Sequence, residues 1–294
     1  ISSMTRRAAE LAEQRMAKEG YGAPPVGYAI LVLGSAGRGE SQLAADQDNG
    51  IVHSAPADDA AADRYLELLA GHIADTLDEA GIPYCKGGVM ARNRMWRRNA
   101  AEWRSTIDGW VKRQRPEDIL NVDIFFDSMV VHGDSALGEE VWRYAYQVAA
   151  QAHDFQNLLI ESTRRRGSPF TMLGRLKLDE QGRIDLKRYG LMPIFSAARV
   201  LSIKHRIEAR STADRLQGLT RNGRASDDIV AQVLAAHRLL LGFIIDQQLT
   251  DGAAGIPLST RVDPRRLDNH SRSALKKAFA AVDEAVGLVA EGRI

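Results

Sequence analysis

Two aspartates follow a glycine–serine turn in the N-terminal part of the chain. Residues 34 to 48 read Gly-Ser-Ala-Gly-Arg-Gly-Glu-Ser-Gln-Leu-Ala-Ala-Asp-Gln-Asp, between two short apolar runs that are typical of buried strands. Asp46 and Asp48 are two positions apart, and residues two apart on a strand share a face. Two adjacent carboxylates repel each other unless a cation lies between them, and hard divalent cations prefer carboxylate oxygens. The pair therefore predicts a divalent metal site formed by Asp46 and Asp48.

The turn itself has the residue types that a phosphate group requires. Gly34 has no Cβ, so a phosphate can approach its backbone closely. The Ser35 hydroxyl can donate a hydrogen bond, and the Arg38 guanidinium can neutralise phosphate charge. The turn lacks the Lys-Ser/Thr ending of a P-loop and does not match a Gly-x-Gly-x-x-Gly dinucleotide fingerprint. Beside a divalent metal site it favours a nucleoside triphosphate, with Gly34, Ser35 and Arg38 as the nucleotide-binding residues.

A third carboxylate comes from a later apolar segment, residues 119–131 (Ile-Leu-Asn-Val-Asp-Ile-Phe-Phe-Asp-Ser-Met-Val-Val). The pattern predicts a strand, and its two-residue period places Asp123, Phe125 and Asp127 on one face. Three carboxylates suit a two-metal phosphoryl transfer, in which metal ions neutralise a triphosphate and activate an attacking hydroxyl group. Asp127 and Asp123 are both candidates for the third catalytic carboxylate. Exposure of these acids at a sheet edge is the structural alternative.

The order of the predicted elements indicates an α+β protein with two domains. Apolar periodicity predicts helices over 2–19 and 58–80, and apolar runs predict strands over 28–33 and 50–52. From Ser135 onward the pattern is almost wholly helical, and it predicts helices at 135–157, 191–209, 210–219, 225–249 and 271–291. We therefore expect a first domain of strands and helices over residues 1–160 and a second, all-helical domain over residues 161–294.

Three tryptophans, Trp96, Trp103 and Trp110, recur every seven residues. If one helix runs through them, this spacing places all three side chains on the same face. A stripe of this kind is typical of a buried core, because large aromatic side chains bury much apolar area. A platform for a stacked base is the functional alternative.

Composition limits the classes of function. The net charge of +1 argues against a surface that coats nucleic acid. The single cysteine, Cys85, excludes an internal disulfide and a cluster of thiolates, and it fits a reducing, cytoplasmic compartment. No unbroken apolar run approaches the roughly 20 residues that span a membrane, so no membrane association is expected. The chain begins with Ile1 and without a signal-peptide core, which leaves room for regulatory domains upstream.

Longer motifs carry a family resemblance. Gly-Ser-x-Gly-Arg-x-Glu at 34–40, followed by Asp-Gln-Asp-Asn at 46–49, resembles the DUF294 nucleotidyltransferase family. That family belongs with the DNA polymerase β-type nucleotidyltransferases and is related to the uridylyltransferase of the PII signal protein. Val-Met-Ala-x-Asn at 89–93 and Ile-Phe-Phe-Asp at 124–127 agree with the resemblance. The segment 184–193 resembles the C-terminal substrate-binding helical domain of the same family.

The resemblance implies a fold, an activity and a set of site residues. The fold is a polymerase β-like nucleotidyltransferase domain with a small mixed sheet, followed by a helical domain. The activity is the transfer of a nucleoside monophosphate from a nucleoside triphosphate to a hydroxyl acceptor, with Mg²⁺ or Mn²⁺ as cofactor. Asp46 and Asp48 are the implied metal ligands, and the Ile-Phe-Phe-Asp match favours Asp127 over Asp123 as the third. The acceptor is an unknown protein or small molecule, with a signalling protein as one candidate.

Two other functions fit some of the same residues. A catalytically silent nucleotide-binding regulatory module would use the turn and the acid pair without turnover. A helical scaffold would use the first domain only for packing, but packing alone does not require an acid pair beside a glycine–serine turn.

Overall fold

The chain forms two compact units in a computed structural model that describes residues 1–113, 115–165 and 167–291. The first unit contains Ile1–Ser41 and Ala45–Gln151, and the second contains Gln42–Ala44 and Ala152–Ile294. The sequence predicts a domain boundary at residue 160, and the longer segment of the second unit begins at Ala152. Arg166 and residues 292–294, which fall in the second predicted domain, lie outside the described residues.

The first unit is built on a four-stranded mixed sheet. Its spatial order is β3-β2-β1-β4, with β1 antiparallel to both of its neighbours and β2 parallel to β3. The strands are β1 (Tyr28–Val32), β2 (Asn49–His53), β3 (Arg97–Asn99) and β4 (Met129–Gly133). The predicted small mixed sheet with helices is confirmed, and the predicted strand at 28–33 corresponds to β1.

Six helices complete the described part of this unit, and both faces of β1 are buried. Tyr28, Ile30 and Val32 share one face of β1, and all three are buried in one cluster with residues of α1 and α3. The helix α1 fits this face because small side chains such as Ala8 and Ala12 recur at helical spacing and let the helix approach closely. The helices are α1 (Ser2–Lys18), α2 (Gly34–Gly37), α3 (Ala60–Glu79), α4 (Ala100–Arg113), α5 (Pro116–Phe125) and α6 (Ser135–Gln151).

The strand predicted over 119–131 is wrong in its first part. Residues up to Phe125 form the helix α5, and only Met129–Gly133 form a strand, β4. The buried side chains Val122 and Phe125 are three positions apart, which is helical spacing. A short apolar run does not distinguish a buried strand from a buried helix. Asp123 and Asp127 therefore do not share a strand face.

The three tryptophans belong to the core, as one of the two interpretations predicted. Trp103 and Trp110 lie on α4, and Trp96 lies in a single 3₁₀ turn before β3. Their ring centroids are 6.0 to 6.2 Å apart, and all three side chains are buried. The indole N–H of Trp103 donates to the Ile51 carbonyl at 2.9 Å, so the polar edge of that ring is satisfied inside the core. Burial excludes a base-stacking platform in this conformation.

The second unit consists mainly of helices. Its helices are α7 (His153–Arg164), α8 (Met192–Lys204), α9 (Thr212–Arg221), α10 (Asp227–Ala253) and α11 (Asn269–Glu291), and two short strands, β5 (Ile184–Asp185) and β6 (Arg261–Val262), pair antiparallel. The segment Gln42–Ala44 belongs to this unit, and the Leu43 N–H donates to Oε1 of Gln248 on α10 at 3.0 Å.

Among the described residues, α10 is the one helix whose length and mean hydropathy would allow it to span a membrane. The search for an unbroken apolar run missed it because mean hydropathy tolerates isolated charges such as Arg238 and Asp246. A core helix passes the same criterion, and residues including Val233, Leu240 and Ile244 of α10 are buried inside the unit.

Candidate metal and nucleotide site

The glycine–serine turn follows β1, forms the first two residues of α2 and lies directly beside one of the two aspartates. Gly34 has a φ of +55°, in the left-handed region that disfavours other residues. A Cβ placed on Gly34 would lie 3.2 Å from Oδ2 of Asp48, so a side chain here would also crowd the carboxylate. The Leu33 N–H donates to the Asp48 carbonyl at 3.0 Å, which holds the two segments together. Gly34 therefore lies against the Asp48 carboxylate.

Three side chains form the candidate metal site. One ligand atom from each of Asp46, Asp48 and Cys85 lies within 4.8 Å of the other two, and this is the one group with such spacing found among the described residues. Asp46 is exposed, and Asp48 and Cys85 are half-buried. The two acids predicted from the sequence are thus brought together, and a thiol that was not predicted joins them.

The residue between the two acids points the other way and is an anchor. Gln47 is almost completely buried, and its Nε2 donates to the carbonyls of Ala74 at 2.9 Å and Ile82 at 2.8 Å. Its backbone N–H donates to the Pro83 carbonyl at 3.1 Å. Because alternate residues of an extended segment face opposite sides, the Gln47 side chain can form hydrogen bonds in the protein interior while Asp46 and Asp48 face the candidate metal site.

Asn49 repeats this arrangement two residues later. Its backbone N–H donates to the Val89 carbonyl at 3.0 Å, and its side-chain Oδ1 accepts the Ala91 N–H at 2.9 Å. Gln47 and Asn49 together therefore attach the segment 82–91 at both of its ends. Cys85 lies within that segment, so its position beside the two aspartates is set by a defined hydrogen-bond network.

The Cys85 thiol is protonated in this environment. Burial, followed by the hydrogen bond to Asp48 and the charge of that carboxylate, raises its pKa to about 11, although backbone hydrogen bonds with Val89 and Gly87 oppose the shift. The sequence analysis missed Cys85 as a site residue because a lone cysteine has no ligand spacing to recognise. The available signal was the alternation of Gln47 and Asn49 with the two acids, because amides that face the protein interior need hydrogen-bond partners from another segment.

Arg38 and Asp127 form a buried ion pair close to the turn. Nη1 of Arg38 donates to Oδ2 of Asp127 at 2.5 Å, and its Nε donates to Oε2 of Glu40 at 2.8 Å. Asp127 is completely buried and Arg38 is 8% exposed. The predicted phosphate-binding arginine and the predicted third carboxylate are thus paired with each other.

The remaining predicted residues lie outside the group of three ligands. Within the part of the chain that the structure describes, neither Asp123 nor Asp127 belongs to that group. Asp123 lies in the last turn of α5, and Asp127 lies in the turn between α5 and β4. Ser35 follows Gly34 as the second residue of α2 and is half-buried.

The donor atoms fit a divalent cation. Two carboxylates supply the oxygen ligands that such ions prefer, and the missing side chain at Gly34 keeps one edge of Asp48 accessible. A sulfur donor beside them is compatible with ions such as Mn²⁺ and Zn²⁺. The arrangement can hold a cation next to a turn that phosphate can approach.

Two protein-family descriptions match the chain. Residues 2–117 match the family described as "Putative nucleotidyltransferase DUF294", and residues 153–291 match the "Putative nucleotidyltransferase substrate binding domain". A search of curated proteins found no match to the chain. The first match contains the turn, the acid pair and Cys85, and the second covers α7 to α11. The chain therefore belongs to the DUF294 family, and its N-terminal and C-terminal parts match that family's two descriptions in this order.

Proposed function

We propose that this protein transfers a nucleoside monophosphate from a nucleoside triphosphate to a hydroxyl group, and that it requires Mg²⁺ or Mn²⁺. The observation that carries the proposal is the proximity of the Asp46 and Asp48 carboxylates beside Gly34, in a chain of a nucleotidyltransferase family. In the reaction, the acceptor oxygen forms a bond to the α-phosphorus, and the bond from that phosphorus to the β-phosphate oxygen breaks. Pyrophosphate leaves, and the acceptor hydroxyl proton passes to a base or to water.

In this proposal the two aspartates hold the cation and the turn holds the triphosphate. The cation supplies positive charge that neutralises the triphosphate and the leaving pyrophosphate. Asp46 and Asp48 contribute one carboxylate oxygen each as ligands. Gly34 admits phosphate to the backbone, and Ser35 donates its hydroxyl hydrogen. Since no protein nucleophile is needed, the chain contributes mainly position and electrostatics.

Asp127 is our first candidate for a third carboxylate, and Asp123 is the second. For Asp127 to act, its ion pair with Arg38 must open, and the released guanidinium would then bind phosphate oxygens in place of the carboxylate. The triphosphate would thus free the third acid by competing for Arg38. This exchange predicts that Asp127 matters for both folding and turnover.

The second unit is the candidate acceptor-binding part. Its match to a substrate-binding domain supports this role, and no single motif in it identifies the acceptor. We propose a protein or small-molecule acceptor in the cytoplasm, with a signalling protein resembling PII as one candidate.

The test uses triphosphates labelled at the α-phosphate, with Mg²⁺ or Mn²⁺ and a cell extract as the source of acceptors. We expect pyrophosphate release together with label on an acceptor, and loss of both in Asp46→Asn and Asp48→Asn. The matched control is Asp58→Asn, because Asp58 is exposed and lies outside the candidate metal site. Thermal unfolding verifies that each variant is folded. Undiminished labelling in the folded Asp46→Asn and Asp48→Asn proteins would contradict the proposal.

One observation favours a second candidate function, a nucleotide-binding regulatory module without turnover. The carboxylate that would complete a catalytic set is paired with Arg38 instead of joining Asp46 and Asp48. Calorimetry with each triphosphate would then show metal-dependent binding, and no pyrophosphate would appear with any acceptor. Measurable pyrophosphate release excludes this alternative.

A further inference from the structure

We infer that Cys85 is a third protein ligand of the metal held by Asp46 and Asp48, and that its sulfur shifts the site's preference from Mg²⁺ towards softer divalent ions. The ions favoured are Mn²⁺, Co²⁺ and, as a probe, Cd²⁺. This inference rests on the proposed function, because it assigns the metal preference of the same site.

The spacing of the three donor atoms suits one ion. The sulfur and the two carboxylate oxygens lie within 4.8 Å of one another. Three ligands spread evenly around one ion at about 2.3 Å are about 4 Å apart, so the three donor atoms need to close by about 1 Å at most to hold a common ion. The Cys85 side chain is half-buried, with its segment attached beside the acids.

Hydrogen bonds from Gln47 and Asn49, which alternate with the two acids, hold the segment that carries the thiol beside the candidate metal site. Gln47 lies between the two carboxylates, and its three hydrogen bonds to Ala74, Ile82 and Pro83 hold the start of the thiol's segment. Asn49 holds the end of that segment through Val89 and Ala91. The same short stretch of chain therefore presents the two carboxylates and positions the sulfur, which an accidental proximity would not require.

The chemistry of sulfur determines the metal preference. As the sulfur–metal bond forms, the Cys85 thiol loses its proton to solvent. Mg²⁺ prefers oxygen ligands and gives up its waters reluctantly, whereas later divalent ions accept thiolate more readily. A carboxylate pair without sulfur would lack this discrimination.

Cadmium titration of the complete chain tests the inference directly. A thiolate bound to Cd²⁺ absorbs in the ultraviolet, and Cys85 is the only cysteine in the sequence. We expect an absorption band that saturates at one Cd²⁺ per chain and is absent in Cys85→Ser. In Asp48→Asn the band should need at least about tenfold more Cd²⁺, since loss of even an outer-shell partner of a metal ligand lowers metal affinity 10–100-fold. The control is Asp75→Asn, because Asp75 contacts the adjacent Tyr84 and is not one of the three proposed ligands. It should behave as the unmodified protein.

Competition experiments measure the preference itself. Mn²⁺ binding is followed by electron paramagnetic resonance, with Mg²⁺ as the competitor. Cys85→Ser keeps a hydroxyl that can still donate to Asp48, so it separates a ligand from a hydrogen-bond donor, and Cys85→Ala with a thermal melt verifies folding. We expect the ratio of Mn²⁺ to Mg²⁺ affinity to fall by at least about tenfold in Cys85→Ser.

The outcomes distinguish this inference from the proposed function. If Cys85→Ser binds Mn²⁺ as tightly as the unmodified protein while Asp48→Asn does not, Cys85 is not a ligand and the carboxylate site stands. If the cadmium band is unchanged in Asp46→Asn and Asp48→Asn, the thiol binds cadmium alone and the inference is overturned. If neither aspartate affects Mn²⁺ binding, the metal site of the proposed function fails as well.

Discussion

The carbonyl oxygen of Asp127 lies against Gly37, where any side chain would have to be placed. A Cβ on Gly37 would lie 1.5 Å from that oxygen, far inside van der Waals contact. The backbone of α2 can therefore approach the turn after α5 only because residue 37 is glycine. This contact, together with the ion pair from the next residue, Arg38, fixes Asp127 beside the predicted phosphate turn.

Gly37→Ala should destabilise the first unit strongly. The new methyl group meets backbone atoms, which cannot rotate away as a flexible side chain can, so we expect a loss of more than about 3 kcal/mol in the free energy of unfolding. Urea unfolding measures it. The control is Gly71→Ala in α3, where a Cβ meets nothing within 4 Å and alanine should stabilise by about 0.5–1 kcal/mol. Equal effects of the two substitutions would contradict this account of Gly37.

Asp127→Asn should cost about 3–5 kcal/mol of stability, because it removes the charge of one partner of a buried ion pair. Glu10→Gln removes the charge of one partner of an exposed pair, Arg7–Glu10, and should cost less than about 1 kcal/mol. Chemical denaturation of both variants measures the difference. If Asp127 also acts in catalysis, turnover measured well below the melting temperature should fall in Asp127→Asn as well, whereas a purely structural Asp127 predicts normal turnover by the folded fraction.

Gln47→Leu should weaken metal binding although no ligand is changed. The substitution removes the Nε2 donor from the Ala74 and Ile82 carbonyls, at about 1–3 kcal/mol for each carbonyl that stays buried and unsatisfied. At this end, the segment that carries Cys85 then loses the side-chain hydrogen bond to Ile82 and keeps the backbone hydrogen bond to Pro83. Cadmium affinity and urea unfolding should both fall. Gln14→Leu, on an exposed position of α1, should change stability by less than about 0.5 kcal/mol and leave metal affinity unaltered.

His53 should make the stability depend on pH. It is 2% exposed, and neither ring nitrogen has a hydrogen-bond partner among the described residues. Burial lowers the pKa of His53 below its usual value of about 6.5, although nearby Glu102 opposes the shift. The unfolded chain therefore takes up a proton before the folded chain does as the pH falls.

The sign of the effect follows from this order of protonation. The contribution of neutral His53 to the free energy of unfolding is fully present above about pH 6.5. It decreases below that pH, by at most about 1.4 kcal/mol per pH unit for one group. Urea unfolding between pH 5 and pH 8 should show a steeper acid loss for the unmodified protein than for His53→Leu. His205, whose pKa burial also lowers, contributes a loss of the same sign in both proteins. Parallel pH curves would show that His53 is not responsible.

Local sequence pattern was enough to predict the site residues that lie close together in the chain. The glycine–serine turn between two strands and the spacing of Asp46 and Asp48 both follow from the two-residue period of extended chain and from the missing Cβ of glycine. The helix α1 was predictable from its periodic apolar face, and the strand β1 from a short apolar run that ends at the glycine–serine turn.

Residues 119–126 show where local pattern is insufficient. An apolar run buried on several sides has no polar face, so its periodicity does not separate helix from strand. Packing decided the conformation, because Phe125 contacts Trp103 and Trp110 on α4, with ring centroids 4.8 and 6.1 Å away. Such contacts depend on residues from another helix, so the sequence of residues 119–126 alone does not predict them.

By itself, the sequence determined the family, the α+β fold with a helical second part, and the pair of acids beside a phosphate-compatible turn. Tertiary structure alone decided which distant side chains meet them: Cys85 joins the acids, and Asp127 pairs with Arg38 across 89 positions of sequence. The physical reason is that local periodicity specifies which face a side chain takes. Its neighbours on that face are specified by hydrogen bonds such as those of Gln47 and by close backbone approaches such as that at Gly37.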